Sequence, residues 1–182
     1  MIKKCNLRSL LSRTAILPAL VFLMLTGGCA SYRLGSMLPS SIQTVYMPTV
    51  INTTSEPLLE NEVTTAILSE LQRDGSLTLA TEGEADAILS VRLTEYNLAP
   101  LSYASDNRTQ PDEYQIRIRA EIELVERVSG KTLVRSANLT GEDEVPLSGN
   151  LTQAKRVGLP GAADDLARVI VAAVTEAWVE GL

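Results

Sequence analysis

The clearest pattern in the chain is an alternation of apolar and polar residues between Glu113 and Arg127. Its apolar positions are Tyr114, Ile116, Ile118, Ala120, Ile122 and Leu124, and its polar positions are Gln115, Arg117, Arg119, Glu121 and Glu123. A period of two predicts a β-strand. Because one set is apolar and the other is charged, we expect an antiparallel sheet with one covered face and one solvated face.

A second strand is predicted for residues 86–97, where Ala87, Leu89, Val91 and Leu93 share one face. Its other face takes Ile88, Arg92, Thr94 and Tyr96. The Ser129-Gly130 pair predicts a tight turn, after which Lys131–Thr140 returns as a partner strand. Residues 42–51 and 77–80 are rich in β-forming residues, and Pro48 favours an edge or a bulge there.

Two segments show helical spacing instead. The first helix is predicted from Glu56 to Arg73, with Ser55 as its cap and Gly75 as a left-handed C-terminal cap. The second is predicted to begin at Pro160, with Asp164 and Asp165 charging its first turn. Its buried stripe is Leu166, Val169, Ile170, Ala173, Val174 and Ala177, with Trp178 at the edge.

Loops are predicted for residues 98–111 and for the acidic stretch 142–149, whereas residues 150–158 fit either a loop or a helical turn. The fold class is therefore α+β. We expect a two-layer sandwich in which two helices pack on one face of a mostly antiparallel four-stranded sheet. A single domain is predicted for residues 42–182, and its second sheet face stays open.

The N-terminus is typical of a bacterial lipoprotein signal. Four basic residues precede an apolar stretch from Ala15 to Leu25, and Thr26-Gly27-Gly28 leads into Cys29. This stretch is shorter than the roughly 20 apolar residues that span a membrane. We predict cleavage of residues 1–28, lipidation of Cys29 and a tether over residues 29–41. An ordinary secretory signal, or an uncleaved anchor, is the alternative.

Composition narrows the function further. The predicted signal holds 4 of the 16 basic residues and none of the 22 acidic ones, so the mature chain has a formal charge of −10. This charge disfavours nucleic acid as a partner. The chain has no histidine, and Cys5 would leave with the signal, which excludes histidine-based catalysis and a disulfide within the mature chain. No catalytic, metal or cofactor motif occurs, so we predict neither an enzyme nor a cofactor beyond the lipid.

Several stretches resemble the lipopolysaccharide-assembly lipoproteins of the LptE family. They are Cys-Ala-Ser-Tyr-Arg-Leu-Gly from Cys29, Val45-Tyr46-Met47-Pro48, Asn52-Thr53-Thr54, the helix end Leu71–Gly75, and Glu84–Leu89. The resemblance covers nearly all of the mature chain. It implies a non-enzymatic protein, lipid-anchored at the periplasmic face of the outer membrane. It also implies that the chain helps assemble and plugs the LptD β-barrel and contacts lipopolysaccharide on its way to the cell surface.

A different adaptor on a similar scaffold stays open as an alternative. It would be a curli-secretion-like or Tol-associated lipoprotein that binds a protein or the cell wall.

The candidate lipopolysaccharide-binding residues are Arg92, Arg117, Arg119 and Lys131. Phosphate groups are bound by arginine and lysine, and the three arginines fall on the solvated sheet face. The competing interpretation is that Arg117 and Arg119 pair with acidic residues across strands, at Glu95, Glu121 and Glu123. Tyr96, Tyr114 and Trp178 fit either a ligand groove or the rim of the core.

Overall fold

A computed structural model of the protein describes residues 38–103, 111–146 and 150–176, all of which belong to one compact unit. They form six strands and two helices. The strands are β1 (Thr44–Tyr46), β2 (Ile51–Asn52), β3 (Thr78–Leu79), β4 (Ala87–Tyr103), β5 (Pro111–Glu126) and β6 (Thr132–Pro146). The helices are α1 (Leu59–Asp74), between β2 and β3, and α2 (Leu151–Glu176), after β6.

Parts of the sequence predictions lie outside the described residues. These are the signal over 1–28, Cys29, most of the tether, and Ala177 and Trp178 after α2. Parts of the two predicted loops, at 104–110 and 147–149, also lie outside them. Within the described residues, no helix combines the length and the apolar character needed to cross a membrane.

The sheet is mixed, so the expected four-stranded, mostly antiparallel sheet is wrong in strand count and partly in direction. Its order is β3-β1-β4-β5-β6, and β2 pairs with β4 beyond β1. The long strands β4, β5 and β6 are antiparallel, as expected. The short strands β1, β2 and β3 make only parallel pairs, because α1 returns the chain alongside β1 instead of reversing it.

Pro48 explains why the first β-rich stretch becomes two strands. Tyr46 pairs with Ile88, and Ile51 pairs with Arg92. Between these pairs the chain takes five residue steps whereas β4 takes four, so the stretch around Pro48 contains one extra residue. Proline cannot donate to the ladder, which places the interruption at the sheet edge. The predicted edge or bulge at Pro48 is confirmed.

Both helices cover the same face of the sheet. The alternate apolar residues of β4 and β5 are buried there, as the period of two predicted, and form one core with the helices. α2 packs across β5 and β6, and α1 packs beside α2 and against β2 and β3. The fully buried large side chains include Leu59, Ile67 and Leu71 of α1, Leu89 and Leu93 of β4, Ile116, Ile118 and Leu124 of β5, and Leu166 and Ile170 of α2.

A β-bulge at Thr94 moves Tyr96 to the covered face. Leu93 pairs with Ala120 and Glu95 pairs with Arg119, so Thr94 is an extra residue. An extra residue reverses which face the following side chains take. Tyr96 therefore packs against the core, and the expectation that it shares a face with Arg92 is wrong.

The long strands extend into both predicted loops. β4 continues to Tyr103, with Leu98 opposite Ile116, and β6 continues to Pro146, with Val145 opposite Tyr114. Asp143 takes the covered side with the buried Gly141 and Val145, whereas Glu142 and Glu144 take the open side. Their charge reflects a solvated strand position instead of a loop.

The helices begin at other residues than predicted. α1 begins at Leu59 because Asn52 organises the preceding residues into a hydrogen-bonded loop. Its end is as expected, since Gly75 has φ 72° and its amide donates to the Leu71 carbonyl at 3.1 Å. α2 begins nine residues before Pro160, and Pro160 lies exposed inside it.

Asp164 and Asp165 consequently lie mid-helix and do not charge a first turn. Asp165 instead accepts a hydrogen bond from the Glu142 amide of β6 at 3.0 Å and pairs with Arg168 at 2.8 Å.

Candidate functional site

The candidate site is the open face of the sheet, which no described helix covers. Strand alternation places four arginines of β4, β5 and β6 on it, and each neighbours acidic residues of the adjacent strand. The arginines are Arg92, Arg117, Arg119 and Arg135. The contacts that each arginine already makes decide which further groups it can bind.

Arg117 is held by a three-residue network. Its Nε donates to Glu142 Oε1 at 2.5 Å, and its Nη2 donates to Gln115 Oε1 at 3.0 Å. Gln115 Nε2 in turn donates to Glu142 Oε2 at 3.1 Å. The side chains of Arg117 and Glu142 are 34% and 39% exposed, so the pair is partly screened by water. Arg117 is therefore neutralised locally but reachable from solvent.

Arg119 pairs with Glu95 across β4 and β5, with 2.7 Å between Nη1 and Oε2. Glu95 faces Arg119 only because the bulge at Thr94 turns it onto the open face. Of the carboxylates expected as partners, Glu95 is confirmed for Arg119. The partner of Arg117 is Glu142, on a strand segment that the sequence assigned to a loop.

Arg92 differs from the other arginines of this face. Among the described residues it makes no ion pair, although Glu121 is its partner in the β4–β5 register. It borders a cavity of about 330 Å³ on the open face. The cavity is lined by Ile51 of β2, Ser90, Val91 and Arg92 of β4, Glu121, Ile122 and Glu123 of β5, and Arg135, Ser136 and Ala137 of β6.

The far wall of this cavity is formed by Arg135 and Glu123, which pair with each other. Glu123 also accepts a hydrogen bond from Thr132 Oγ1 at 2.9 Å. The hydrogen bond from Arg135, and then that from Thr132, lowers the pKa of Glu123. Arg135 is thus committed to a carboxylate, and Arg92 is the cavity arginine with an unused guanidinium within the part of the chain that the structure describes.

Lys131 lies away from Arg117. It precedes Thr132, which pairs with Val125, eight residues along β5 from Arg117. At about 3.3 Å per residue, this separation is roughly 25 Å. Its backbone carbonyl accepts from the Glu126 amide at 2.8 Å, and its amide donates to Ser129 Oγ at 3.1 Å. The structure brings Arg92, Arg117 and Arg119 onto one face and places Lys131 at the hairpin end.

Tyr96 and Tyr114 lie at the rim of the core and not on the open face. Neither contributes to the cavity beside Arg92. The described residues also hold no group of three or more acidic or cysteine side chains arranged to bind a metal ion. The face offers guanidinium groups beside a shallow cavity for binding.

A family model for lipopolysaccharide assembly, LptE, matches residues 42–174. The match begins before β1 and ends within α2, so it spans every described strand. The chain belongs to the LptE family. No curated protein matches it. Family membership makes this a protein of lipopolysaccharide assembly and of outer-membrane biogenesis, as the sequence resemblance implied.

Solved structures also resemble this LptE-family chain. The hypothetical protein CT253 of Chlamydia trachomatis matches 77% of this chain and 99% of its own length, with 14% identity and a TM-score of 0.50. Lipoprotein GNA1162 of Neisseria meningitidis matches 63% and 92%, with 12% identity and a TM-score of 0.42. Protein XCC0632 of Xanthomonas campestris matches 74% and 86%, with 10% identity and a TM-score of 0.48. At such identities, the CT253 likeness supports the α+β fold alone.

Sequence reasoning missed the cavity of this LptE-family protein, although it named Arg92. Ile51, Arg135 and Ala137 reach Arg92 only through the parallel pairing of β2 and the β6 register. The β6 ladder skips residues between Leu139 and Ser136, opposite Ala120 and Ile122. Asn138, with φ 61°, was the available signal, since asparagine tolerates the left-handed region that some bulges require.

Proposed function

We propose that this chain is a non-enzymatic, lipid-anchored subunit of the outer-membrane lipopolysaccharide translocon. In this proposal it helps assemble the LptD β-barrel, plugs its lumen and assists delivery of lipopolysaccharide to the cell surface. The family match over residues 42–174 carries the proposal, because it spans the whole described sheet and most of α2.

The shape of the domain supports the barrel part of the proposal. Two helices close one side of the sheet, while the other side presents paired arginines and carboxylates to solvent. The lumen of a large outer-membrane barrel is polar, so a charged sheet face is compatible with burial inside it. An apolar open face would suit a lipid surface instead.

The anchor in this proposal is the lipid on Cys29. Each buried CH₂ contributes about 0.8 kcal/mol, so two or three acyl chains hold a protein on a membrane durably. The tether would keep the domain near the inner surface of the outer membrane. Intact-mass measurement of the purified protein tests this step, which requires a chain beginning at Cys29 with added acyl mass.

For lipopolysaccharide, the structure favours Arg92 as the first contact. Its guanidinium has no ion-pair partner among the described residues, and it borders a cavity of about 330 Å³. Arg117 and Arg119 already pair with Glu142 and Glu95, and these carboxylates would compete with a phosphate for the guanidinium groups. Lys131 is too distant to contact the same phosphate as these arginines.

The association with the LptD barrel is tested by purifying the acylated protein from its own outer membrane in mild detergent. Co-purification of LptD in stoichiometric amount supports the proposal. A C29S variant should be lost from the membrane fraction. Recovery of cell-wall or inner-membrane partners without LptD would instead favour the adaptor alternative.

The arginines are tested by lipopolysaccharide binding to matched charge-reversal variants. R92E should weaken binding about tenfold or more, and R117E/R119E should weaken it as well, since bidentate phosphate contacts are lost. R73E/R168E on the helix side changes the net charge as much as R117E/R119E and should leave binding unchanged. Equal loss in both double variants would assign the effect to net charge and sink the site assignment.

A further inference from the structure

The second helix contains a weak point that the proposed function does not use. Pro160 lies inside α2 and has no amide proton, so the Arg156 carbonyl has no donor at the usual position four residues on. Gly158 and Gly161 flank it, and glycine lowers helix stability by about 1 kcal/mol relative to alanine. The four residues Gly158–Gly161, here called the hinge, are the least helix-favouring stretch of α2.

The hinge is fixed to the sheet by close packing. A β-carbon at Gly158 would lie 2.4 Å from Val145 Cγ1, and one at Gly161 would lie 2.3 Å from Asp143 Oδ2. A side chain at Gly158 would clash with the core at Val145, whereas one at Gly161 would require the Asp143 side chain to move. The parts of α2 before and after the hinge can therefore differ in how firmly they are held to the rest of the fold.

The two sides of the hinge are anchored very unequally. On the C-terminal side, Leu166, Ile170 and Val174 are fully buried. On the N-terminal side lies the arm, Leu151–Val157, whose buried side chain is Ala154. Its exposed residues are Leu151, Thr152, Gln153, Arg156 and Val157. Apolar burial thus holds the body of the helix far more strongly than the arm.

Lys155 joins the arm to the loop before α1 by a polar contact. Lys155 Nζ lies 2.7 Å from Glu56 Oε2, in the loop before α1, and 5.3 Å from the centre of the Tyr96 ring. The Tyr96 hydroxyl is buried, and it has no hydrogen-bond partner in the described part of the chain. Burial, and then the Glu56 carboxylate, raises the pKa of Tyr96 to about 12.

We propose that Leu151–Val157 is a hinged arm, latched by the Glu56–Lys155 pair, which opens about Gly158–Gly161 and exposes Tyr96. A buried hydroxyl without a partner destabilises the closed arrangement, and opening hydrates it. The Glu56–Lys155 pair therefore favours the closed arm, whereas the buried Tyr96 hydroxyl favours the open arm. Their balance sets how often the arm opens while the rest of α2 stays packed.

Amide hydrogen exchange of the mature acylated protein in detergent, resolved by mass spectrometry, tests this proposal. Peptides within the arm should exchange at least about tenfold faster than peptides within 162–174. K155Q should accelerate the arm further, because it removes the latch charge. Y96F should slow the arm at least about fivefold, because the unpartnered hydroxyl is gone.

P160A restores the missing amide at an exposed position and should also slow the arm. R168Q, which breaks the Arg168–Asp165 pair in the body of the same helix, is the matched control and should leave arm exchange unchanged. Equal exchange of arm and body in the wild-type protein would overturn the proposal. So would Y96F and P160A variants whose arm exchanges as in the wild type.

Discussion

Gly141 of β6 lies so close to Leu166 of α2 that a β-carbon at position 141 would sit 2.3 Å from the Leu166 amide nitrogen. The same β-carbon would lie 2.5 Å from the Ala162 carbonyl oxygen. Both neighbours are helix backbone, which cannot rotate away as a side chain can. This contact sets the distance between α2 and the sheet.

We therefore expect G141A to destabilise the domain by about 2–3 kcal/mol, since α2 must shift as a body. Urea unfolding of the mature domain, followed by circular dichroism, measures the change. G83A is the matched control, because a β-carbon there meets nothing within 4 Å. A G141A variant as stable as G83A would show that the helix moves away at little cost.

The sequence predicted the elements whose pattern repeats over many residues. The alternation of Ile116, Ile118 and Ile122 and the helical spacing of Leu59, Val63 and Ile67 follow from local geometry. The burial of every second β5 residue, and of one face of α1, can be predicted from the periodicity alone, without knowing which element packs against it. The two-layer α+β arrangement was therefore accessible, as was the left-handed cap at Gly75.

The misjudged features depend on single residues and their distant partners. The bulge at Thr94 exists only relative to β5, so the side taken by Tyr96 was not visible in the chain itself. Pro160 marked a helix start by local rules, but burial of Ala154 and Gly158 carries the helix back to Leu151. Arg92 was named from the face it occupies, whereas its lack of an ion pair among the described residues, even opposite Glu121, is visible only in the structure.

Asp86 connects the start of β4 to β1 through hydrogen bonds. These bonds predict how the free energy of unfolding changes at acid pH. Its carboxylate accepts from the Gln43 amide at 3.0 Å, and from the Thr44 amide and hydroxyl at 2.9 and 2.8 Å. The bond from Gln43, followed by those from Thr44, holds the pKa of Asp86 below its ordinary value of 3.8. The folded state thus favours the ionised form.

Because the folded pKa is lowered, this stabilisation is complete above the unfolded pKa and is lost as the pH falls through the folded pKa. We expect D86N to lower the free energy of unfolding by about 1 kcal/mol at neutral pH, with the partly exposed site discounted for screening. The difference from wild type should shrink below about pH 4. E82Q, an exposed carboxylate of the same loop, should show no such pH dependence.

Asn52 organises the loop between β2 and α1, and all of its polar atoms are used. Its Nδ2 donates to the Glu56 carbonyl and to Glu60 Oε2, each at 2.8 Å. Its Oδ1 accepts from the Thr54 amide at 2.9 Å and from the Thr54 hydroxyl at 2.8 Å. The side chain replaces the first helical turn that the sequence predicted there.

Removal of this side chain in N52A should therefore lower the free energy of unfolding by about 1–3 kcal/mol. N52D keeps the shape but places a carboxylate against Glu60, so it should destabilise at neutral pH and recover as the carboxylates are protonated. Denaturant titration at two pH values separates these effects. N97A, on the open face, is the control, and a loss in N97A equal to that in N52A would remove the special role of Asn52.

Leu58 gives a prediction with the opposite sign. It precedes α1 with φ 63°, in the left-handed region that branched and bulky side chains avoid, and it is 69% exposed. The backbone of Leu58 is held in this conformation because its carbonyl accepts from the Asn61 amide at 3.1 Å, at the start of the helix. The left-handed conformation costs a non-glycine residue about 1–2 kcal/mol.

We therefore expect L58G to raise the free energy of unfolding by about 0.5–1 kcal/mol, after the greater freedom of glycine in the unfolded chain is subtracted. L58N should give a similar gain with less of that entropic loss. Thermal unfolding should show a rise of about 1–4 °C for a domain of this size. V128G is the matched control, since Val128 is 82% exposed and is not among the described residues with positive φ. It should lower stability slightly, and an L58G variant that behaves like V128G would contradict the strain at position 58.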